Sequence, residues 1–542
     1  MKVGRKAIWL SIALVVLLLA SPAARSQMPI QAMRDKISQG VDYLVSLQQA
    51  NGSWPYQKGA GQYIDVYNIG MTSLATLALS HTRLPKAMEP ARKGLAFITQ
   101  SPPEPKTYTA GLAEMLLFES GATQYNKLIG QYAWMLIMGQ RREGVVEGAW
   151  FYYLPDWQEN ANPDKAPALP AGNQADHSNS QFGVLGIWYA QRAGFQVPQL
   201  TWQRVKRHYE NTQLPDGGWT YDPANPTGSS PSLTPASAVS LFLADEALSS
   251  KKHNQCKMIP ENPAVEKGMK LIGSKPLQGE GAYYWYALER LGIMTGRSEF
   301  GGQNWMELGA RKLVNGDWGT DNGGTAPNCA FAVLFLARAL EPVIFNKLKR
   351  QGDWNNDPYD LKHLTEFISE KYQYPKQWRI ITMDASVEEL LKVPILYVTG
   401  HEALQFTDGE KTKIKDYVNR GGTLFGMACC GMKPFDKSFR ALVAELWPDG
   451  KLLPLPKDHM IYTSPHPLAS RPALEGLALG AGQGRLAVVY CPTDLCCRWT
   501  IGGNDAKSVL EVGANIYLFT QSVGVKLGGV REGEAQDTAK QN

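Results

Sequence analysis

Gln48-Gln49-Ala50-Asn51-Gly52-Ser53-Trp54 and Gln213-Leu214-Pro215-Asp216-Gly217-Gly218-Trp219 are two copies of one pattern, Q-x-x-x-G-x-W. Lys312 to Trp318 (KLVNGDW) keeps Gly316 and Trp318 with Lys in place of Gln, and Gly148-Ala149-Trp150 is a partial copy. Each follows a helical stretch. The physics is local. A helix ends, Gly supplies a positive-φ stop, and a short turn swings Trp back over the gap between neighbouring helices. Gln can hydrogen-bond backbone left exposed at the helix end. The pattern is a structural device and carries no chemistry of its own.

Working outward, the flanking segments fall into two alternating sets. Residues 32–49, 86–99, 125–139, 201–212, 264–272 and 303–314 show amphipathic helical periodicity. Residues 67–80, 109–119, 178–193, 234–248, 282–292 and 327–340 are apolar nearly all round and rich in small residues. A helix apolar on every side must be buried on every side, and a helix with a polar stripe must face water. Six hairpins follow, and their simplest closure is an inner ring of helices inside an outer ring, an all-α (α/α)6 toroid over 27–341. An open solenoid is the alternative, but it would leave one face of the inner helices wet.

With these residues in hand, the first half resembles the squalene–hopene cyclase and prenyltransferase-like toroid superfamily. The resemblance implies a terpenoid cyclase or prenyltransferase acting on an isoprenoid. The acidic D-x-D-D that such a cyclase uses to protonate a double bond is not in the sequence. The zinc set of the prenyltransferases is also incomplete: Asp321 and Cys329 occur without the D-x-C spacing or the partner His. An unusual acid such as Asp65 or Asp176 would have to serve instead.

Residues at the start of each inner helix point to one end of such a ring. Asp65, Tyr67, His177, Asn179, Tyr283, Tyr284, Trp285 and Asn328 are the candidate cavity residues. Their mix of aromatic and neutral hydrogen-bonding groups suits a small molecule, a glycan, a peptide or an isoprenoid. The same residue types also cap helix starts and fill cores. The loop 154–173 and the segment 221–232 are candidate lids.

After residue 341 the pattern changes. Residues 345–358 read as a polar junction. Strands are expected at 379–383, 395–398, 423–427 and 484–491, with helices at 408–419 and 435–446 between them. Strand–helix alternation predicts an α/β domain with a mostly parallel sheet over 342–527, and ligands of such sheets bind beyond the carboxyl ends of the strands. Gly352-Asp353-Trp354-Asn355-x-Asp357-Pro358, Tyr397-Val398-Thr399-Gly400-His401, Gly421-Gly422-Thr423-Leu424 and Thr493-Asp494-Leu495 resemble a bacterial domain of unknown function, number 4159. That family is similar in fold to class I glutamine amidotransferases. The resemblance implies a thiol nucleophile on a tight strand-to-helix turn, where Cys429 and Cys430 stand, with His401 at a neighbouring strand end as its partner. The flanking G-x-C-x-G and a late His–Glu pair are missing. A thiol-dependent amidase-like hydrolase is therefore one reading, and a non-covalent cleft that includes Asp494 is another.

Composition and address complete the picture. Apolar residues make up 44% and charged residues 19%, which excludes a disordered or fibrous chain. The net charge of +5 from 55 basic and 50 acidic residues gives no reason to expect nucleic acid as a partner. Lys2, Arg5 and Lys6 precede an apolar run of 14 residues, Ala7 to Ala20, and Ala24-Arg25-Ser26 suits cleavage before Gln27. The run is shorter than the ~20 residues of a spanning helix. It reads as a signal peptide over 1–26, so the chain is expected to be exported, periplasmic or extracellular, with membrane anchoring as the alternative if the leader is retained. Residues 528–542 read as a disordered tail. The seven Cys residues are odd in number, and a link would join the 429–430 pair to the 496–497 pair rather than bridge neighbours. Without C-x-x-C spacing no metal is expected, and no cofactor. Oligomeric state is not legible.

Overall fold

The computed structural model describes residues 29–58, 62–64, 67–158, 174–249, 258–279, 281–316, 318, 325–479 and 485–522. The leader 1–26, Asp65, the tail 528–542 and most of the 154–173 loop lie outside the described residues.

The first module is helical. Its elements are α1 (Ile30–Leu47), the strands β1 (Tyr56–Lys58) and β2 (Gln62–Ile64), α2 (Asn68–Thr82), α3 (Pro85–Gln100), α4 (Thr107–Glu119), α5 (Asn126–Gly139) and α6 (His177–Arg192). Then come α7 (Gln199–Asn211), α8 (Leu233–Ser249), α9 (Pro263–Gly273), α10 (Ala282–Thr295), the strands β3 (Glu299–Phe300) and β4 (Gln303–Asn304), α11 (Trp305–Asn315) and α12 (Thr325–Ala339). The even-numbered helices touch in a closed cycle, α2 to α4, α6, α8, α10, α12 and back to α2. The odd-numbered helices line the outside of that cycle, α1 against α12, α3 against α2, and α5 between α4 and α6. Burial follows the two sequence sets: α6 is buried from His177 to Ala190, whereas α3 buries only Ala87, Ala91, Gly94 and Ile98. Among the described residues no helix is long and apolar enough to cross a membrane.

The repeated pattern shows its physics in matching bonds. Gln48 Nε2 donates to the carbonyls of Gly52 and Pro90, each at 2.9 Å, and Gln213 Nε2 donates to those of Gly217 and Ala264 at 2.8 and 2.7 Å. Gly52 and Gly217 hold φ of 90° and 96°. Trp54 and Trp219 are fully buried, their Nε1 donating to Leu44 and Tyr209 carbonyls at 2.7 and 2.8 Å. The partial copy is a complete one with an insertion. Gln140 Nε2 donates to the carbonyls of Gly148 and Thr201, Gly148 has φ of 90°, and buried Trp150 donates to the Leu136 carbonyl at 2.7 Å.

The second module is a seven-stranded sheet in the order β6-β5-β7-β8-β11-β10-β9. The strands are β5 (Val343–Leu348), β6 (Gln377–Ile381), β7 (Ile395–Gly400), β8 (Thr423–Ala428), β9 (Leu453–Pro454), β10 (Glu475–Ala478) and β11 (Leu486–Cys491). The first four and β11 run parallel, and β10 and β9 add an antiparallel edge. The sheet's helices are α13 (Asp360–Lys371), α14 (Val387–Leu390), α15 (Asp408–Asn419), α16 (Lys433–Leu446), α17 (Met460–Thr463), α18 (Cys496–Ile501) and α19 (Lys507–Ser522). A capping box starts α15: Thr407 Oγ1 accepts from Glu410 N, and the Glu410 carboxylate accepts from Thr407 N. Separate apolar cores cover the two faces.

One segment differs from its sequence reading. The stretch read as the start of a polar junction contains β5, a central, buried strand. Its polar residues are satisfied internally: Lys347 Nζ reaches the Asp360 carboxylate at 2.6 Å and the Asp357 carbonyl at 2.7 Å, and Asn346 Oδ1 accepts from Arg379 at 2.8 Å. Paired charge hid a strand that apolar patterning alone could not reveal.

The modules are joined. Ile380 N in β6 donates to the Gly296 carbonyl at 2.6 Å, just beyond α10, and Arg192 of α6 pairs with Glu366 and Glu370 of α13. A cavity of about 440 Å³ lies at this junction, lined among others by His81, Glu119, Arg290, Arg338 and Lys362.

Candidate functional site

The carboxyl ends of β5, β7, β8 and β11 meet at one place, and each delivers chemistry-bearing side chains to it. The loop after β5 brings Asp353 and Asp357. His401 follows β7, Cys429 and Cys430 follow β8, and the turn after β11 leads to Asp494 and to Cys496 and Cys497 in α18. Among the described residues, Cys329, Cys429, Cys491 and Cys496 are free thiols; Cys430 is not one of them.

Cys429 is buried, and its Sγ lies 3.0 Å from His401 Nε2 and 3.1 Å from Asp357 Oδ2. One S–H cannot donate to both. A thiol donating to Asp357 leaves His401 to act as donor, and a thiol donating to His401 leaves Asp357 facing sulfur. Cys429 Sγ is also 4.0 Å from Cys497 Sγ, and Cys430 Sγ is 3.5 Å from Cys497 Sγ. The two adjacent pairs thus come together across the sheet.

Asp353 holds the rim. Its carboxylate accepts from His401 N at 2.6 Å, Glu402 N at 3.1 Å and Asn356 Nδ2 at 2.9 Å, and sits 3.7 Å from His401 Nδ1. Burial works against its charge, but these three donors win and hold its carboxyl below the usual range. The positive φ of 53° at Cys430 marks a tight turn between β8 and α16.

Electrostatically the pocket resists thiolates. For Cys429 the hydrogen bond with Cys496 favours the thiolate, but Cys497, burial and the Asp357 carboxylate together push the thiol up. Burial, then contact with Cys429, also raises Cys496. Asp494 is pushed up to about 7, first by burial and then by Cys497; its Oδ1 accepts from Cys497 N at 3.1 Å and from Cys496 Sγ at 3.3 Å.

The candidate residues of the ring go elsewhere. His177 is fully buried, with Nδ1 2.7 Å from the Thr220 carbonyl and Nε2 3.1 Å from His208 Nε2. Asp176 caps α6 through Asn179 N at 2.7 Å and also accepts from Asn179 Nδ2 at 2.8 Å. Tyr283 hydrogen-bonds Ser178 at 2.9 Å and also Gln181, and Ser178 reaches Tyr108. Tyr67 is half-buried with Lys106 over its ring, and Tyr284 stacks edge-on to Trp285. The Trp285 Nε1 and Asn328 Nδ2 atoms are buried without a hydrogen-bond partner among the described residues. Asp357, Cys496 and Cys497 belong to the strand-end pocket although they are not among the candidate site residues read from the sequence. Their signals are in the sequence: Asp357 sits in the Gly352–Pro358 stretch, and Cys496 and Cys497 form the adjacent pair expected to meet the 429–430 pair.

Residues 344–520 match a family described as Domain of unknown function (DUF4159). No curated protein matches the chain. Among solved structures, an inactive α-1,6-mannanase GH76A of Salegentibacter sp. HEL1_6 in complex with α-1,6-mannotriose is similar at 11% identity and TM-score 0.39, over 58% of this chain and 99% of that one. The type II terpene cyclase MstE from Scytonema is similar at 13% identity and TM-score 0.30, over 57% and 98%.

Proposed function

We propose that this is a ligand-binding protein whose recognition site is the strand-end pocket of the α/β module, with the helical ring as its support. The observation that carries this reading is the convergence of side chains from four separate strand ends on one buried point. Parallel sheets place ligands at that position. Export by the N-terminal leader, kinship of the ring with terpenoid-cyclase-like toroids and of the sheet with amidotransferase-like domains belong to the same proposal. Asp176, His177 and Ser178 at the start of α6 are engaged by protein partners, which favours the sheet over the ring as the site for a small molecule, glycan, peptide or isoprenoid. Native mass spectrometry of the full chain tests it. The folded wild type is expected to retain mass that denaturation releases and that Cys429→Ala does not hold. Equal native and denatured masses in every preparation refute it.

A second reading is thiol-dependent hydrolysis. It is favoured by the 3.0 Å approach of His401 Nε2 to Cys429 Sγ with Asp353 behind the ring. It predicts a burst with an activated ester that Cys429→Ala abolishes while the melting temperature is kept.

A further inference from the structure

We propose that Cys429, Cys496, Cys497 and Asp357 form a binding site for one thiophilic divalent cation of the zinc class. The inference rests on the reading of the strand-end pocket as a ligand site and names the ligand.

The geometry is that of a preformed coordination shell. Three sulfurs and one carboxylate oxygen, all on buried residues, lie within 4.8 Å of one another. Asp357 Oδ2 is 3.1 Å from Cys429 Sγ and 3.8 Å from Cys497 Sγ, and those two sulfurs are 4.0 Å apart. A tetrahedral ion with metal–sulfur bonds of ~2.3 Å sets its sulfurs ~3.8 Å apart, so closure needs only small side-chain shifts. Cys429 and Cys496 are free thiols.

The ligands also sit on well-supported backbone. Cys429 directly follows the central strand β8, Cys496 and Cys497 open α18, and Asp357 precedes α13. Outside them, Asp494 accepts from Cys496 Sγ, which orients that thiol, and from Cys497 N, which fixes the start of α18. Lys347 Nζ donates to the Asp357 carbonyl and pairs with the Asp360 carboxylate, which fixes the backbone that carries Asp357. His401 stands ready to donate to the Cys429 sulfur. Such outer partners tune a metal site as strongly as its ligands do. Three soft sulfurs with one oxygen select against calcium and magnesium, which take oxygen ligands. The absence of C-x-x-C spacing is no obstacle, because the sheet gathers ligands that are far apart in sequence.

The test uses the full chain purified without a histidine tag or chelator. Elemental analysis is expected to give one zinc per chain. Exchange with cobalt is expected to give a thiolate-to-cobalt charge-transfer band and the intense visible bands of tetrahedral cobalt, with proton release on uptake. Cys496→Ser and Asp357→Ala should each weaken binding ~10-fold or more, whereas Cys491→Ser and Cys329→Ser, which alter free thiols outside the cluster, should not. The wild-type cobalt spectrum stands even if a variant fails to fold. Substoichiometric metal in protein whose cluster thiols titrate as free overturns the proposal, as does full retention by a folded Cys496→Ser/Cys497→Ser chain. An organic mass retained without metal overturns it while leaving the pocket reading intact; no retained mass removes both.

Discussion

Lys362 Nζ lies 2.8 Å from the Glu246 carboxylate, and both side chains are almost wholly withdrawn from water. Glu246 belongs to α8 of the ring and Lys362 to α13 of the sheet module. The same carboxylate meets His363 Nε2 at 2.6 Å, and His363 Nδ1 meets the Trp499 carbonyl at 2.9 Å. Trp499 lies in α18 together with Cys496 and Cys497. A continuous path of polar contacts therefore links the ring to the helix that carries two of the pocket thiols.

Removing one end of this pair strands the other. Glu246→Ala leaves a buried ammonium whose remaining carboxylate partner among the described residues is Glu366, 3.0 Å away and more exposed. The expected cost is about 3 kcal/mol by denaturant unfolding. Glu246→Leu with Lys362→Met should recover most of it, since an apolar pair of similar volume replaces two desolvated charges.

Acid should act against the buried histidine pair of the ring. Burial holds His177 down to about 4, against a smaller upward pull from the Thr220 carbonyl, and burial then His177 hold His208 well below its ordinary value. The unfolded imidazoles take up protons near 6.5. Between those values the unfolded chain binds protons that the folded chain refuses. The contribution of these two histidines is therefore complete above pH 6.5 and declines as pH falls towards 4, by about 3 kcal/mol for His177. Asp176, raised by burial to about 6, acts in the opposite sense below that pH and offsets part of the loss. Glu289, raised by burial to about 7, also gains stability as pH falls, so the check is differential: from pH 7.5 to 4 the denaturation midpoint of the wild type should drop relative to that of His208→Gln.

The repeat should be intolerant at three of its positions for three different reasons. Gly217→Ala puts a Cβ 2.9 Å from the Lys267 carbonyl at a positive φ and should cost about 1–3 kcal/mol. Gln213→Ala strips a donor from two carbonyls, for about 1–3 kcal/mol. Trp219→Ala opens a cavity in the ring core, for about 3–5 kcal/mol. Thermal unfolding of each variant checks the order.

Asp353→Ala frees two backbone N–H groups at the end of β7 and removes the group behind His401. Iodoacetamide labelling of Cys429 should quicken as the rim loosens, with a stability loss of about 1–3 kcal/mol. Unchanged labelling would mean that Asp353 plays no part in positioning His401.

Much of this was legible in sequence, and the reasons differ by element. The inner helices announced themselves because all-round apolarity in residues such as Leu74, Ala113 and Leu241 has no use outside a core. The Gln48 and Gln213 motifs could be read because their spacing is regular; the Gln140 copy escaped because an insertion before Gly148 leaves the bonds in place and destroys the spacing. The strand β5 escaped because Asn346 and Lys347 are buried by pairing. At the pocket, strand-end logic brought Cys429 towards His401, but no local pattern tells that residues 357 and 497 meet there. That meeting is set by strand order, β5 and β11 standing on either side of β7 and β8.

Because α12 returns to α2, the wheel of inner helices has no first or last spoke. An open array frays from its ends, one unit at a time. A hoop offers no loose end from which to unravel, so losing any one spoke deprives two neighbours at once. Heating should therefore undo the helical half in a single event rather than by successive peeling.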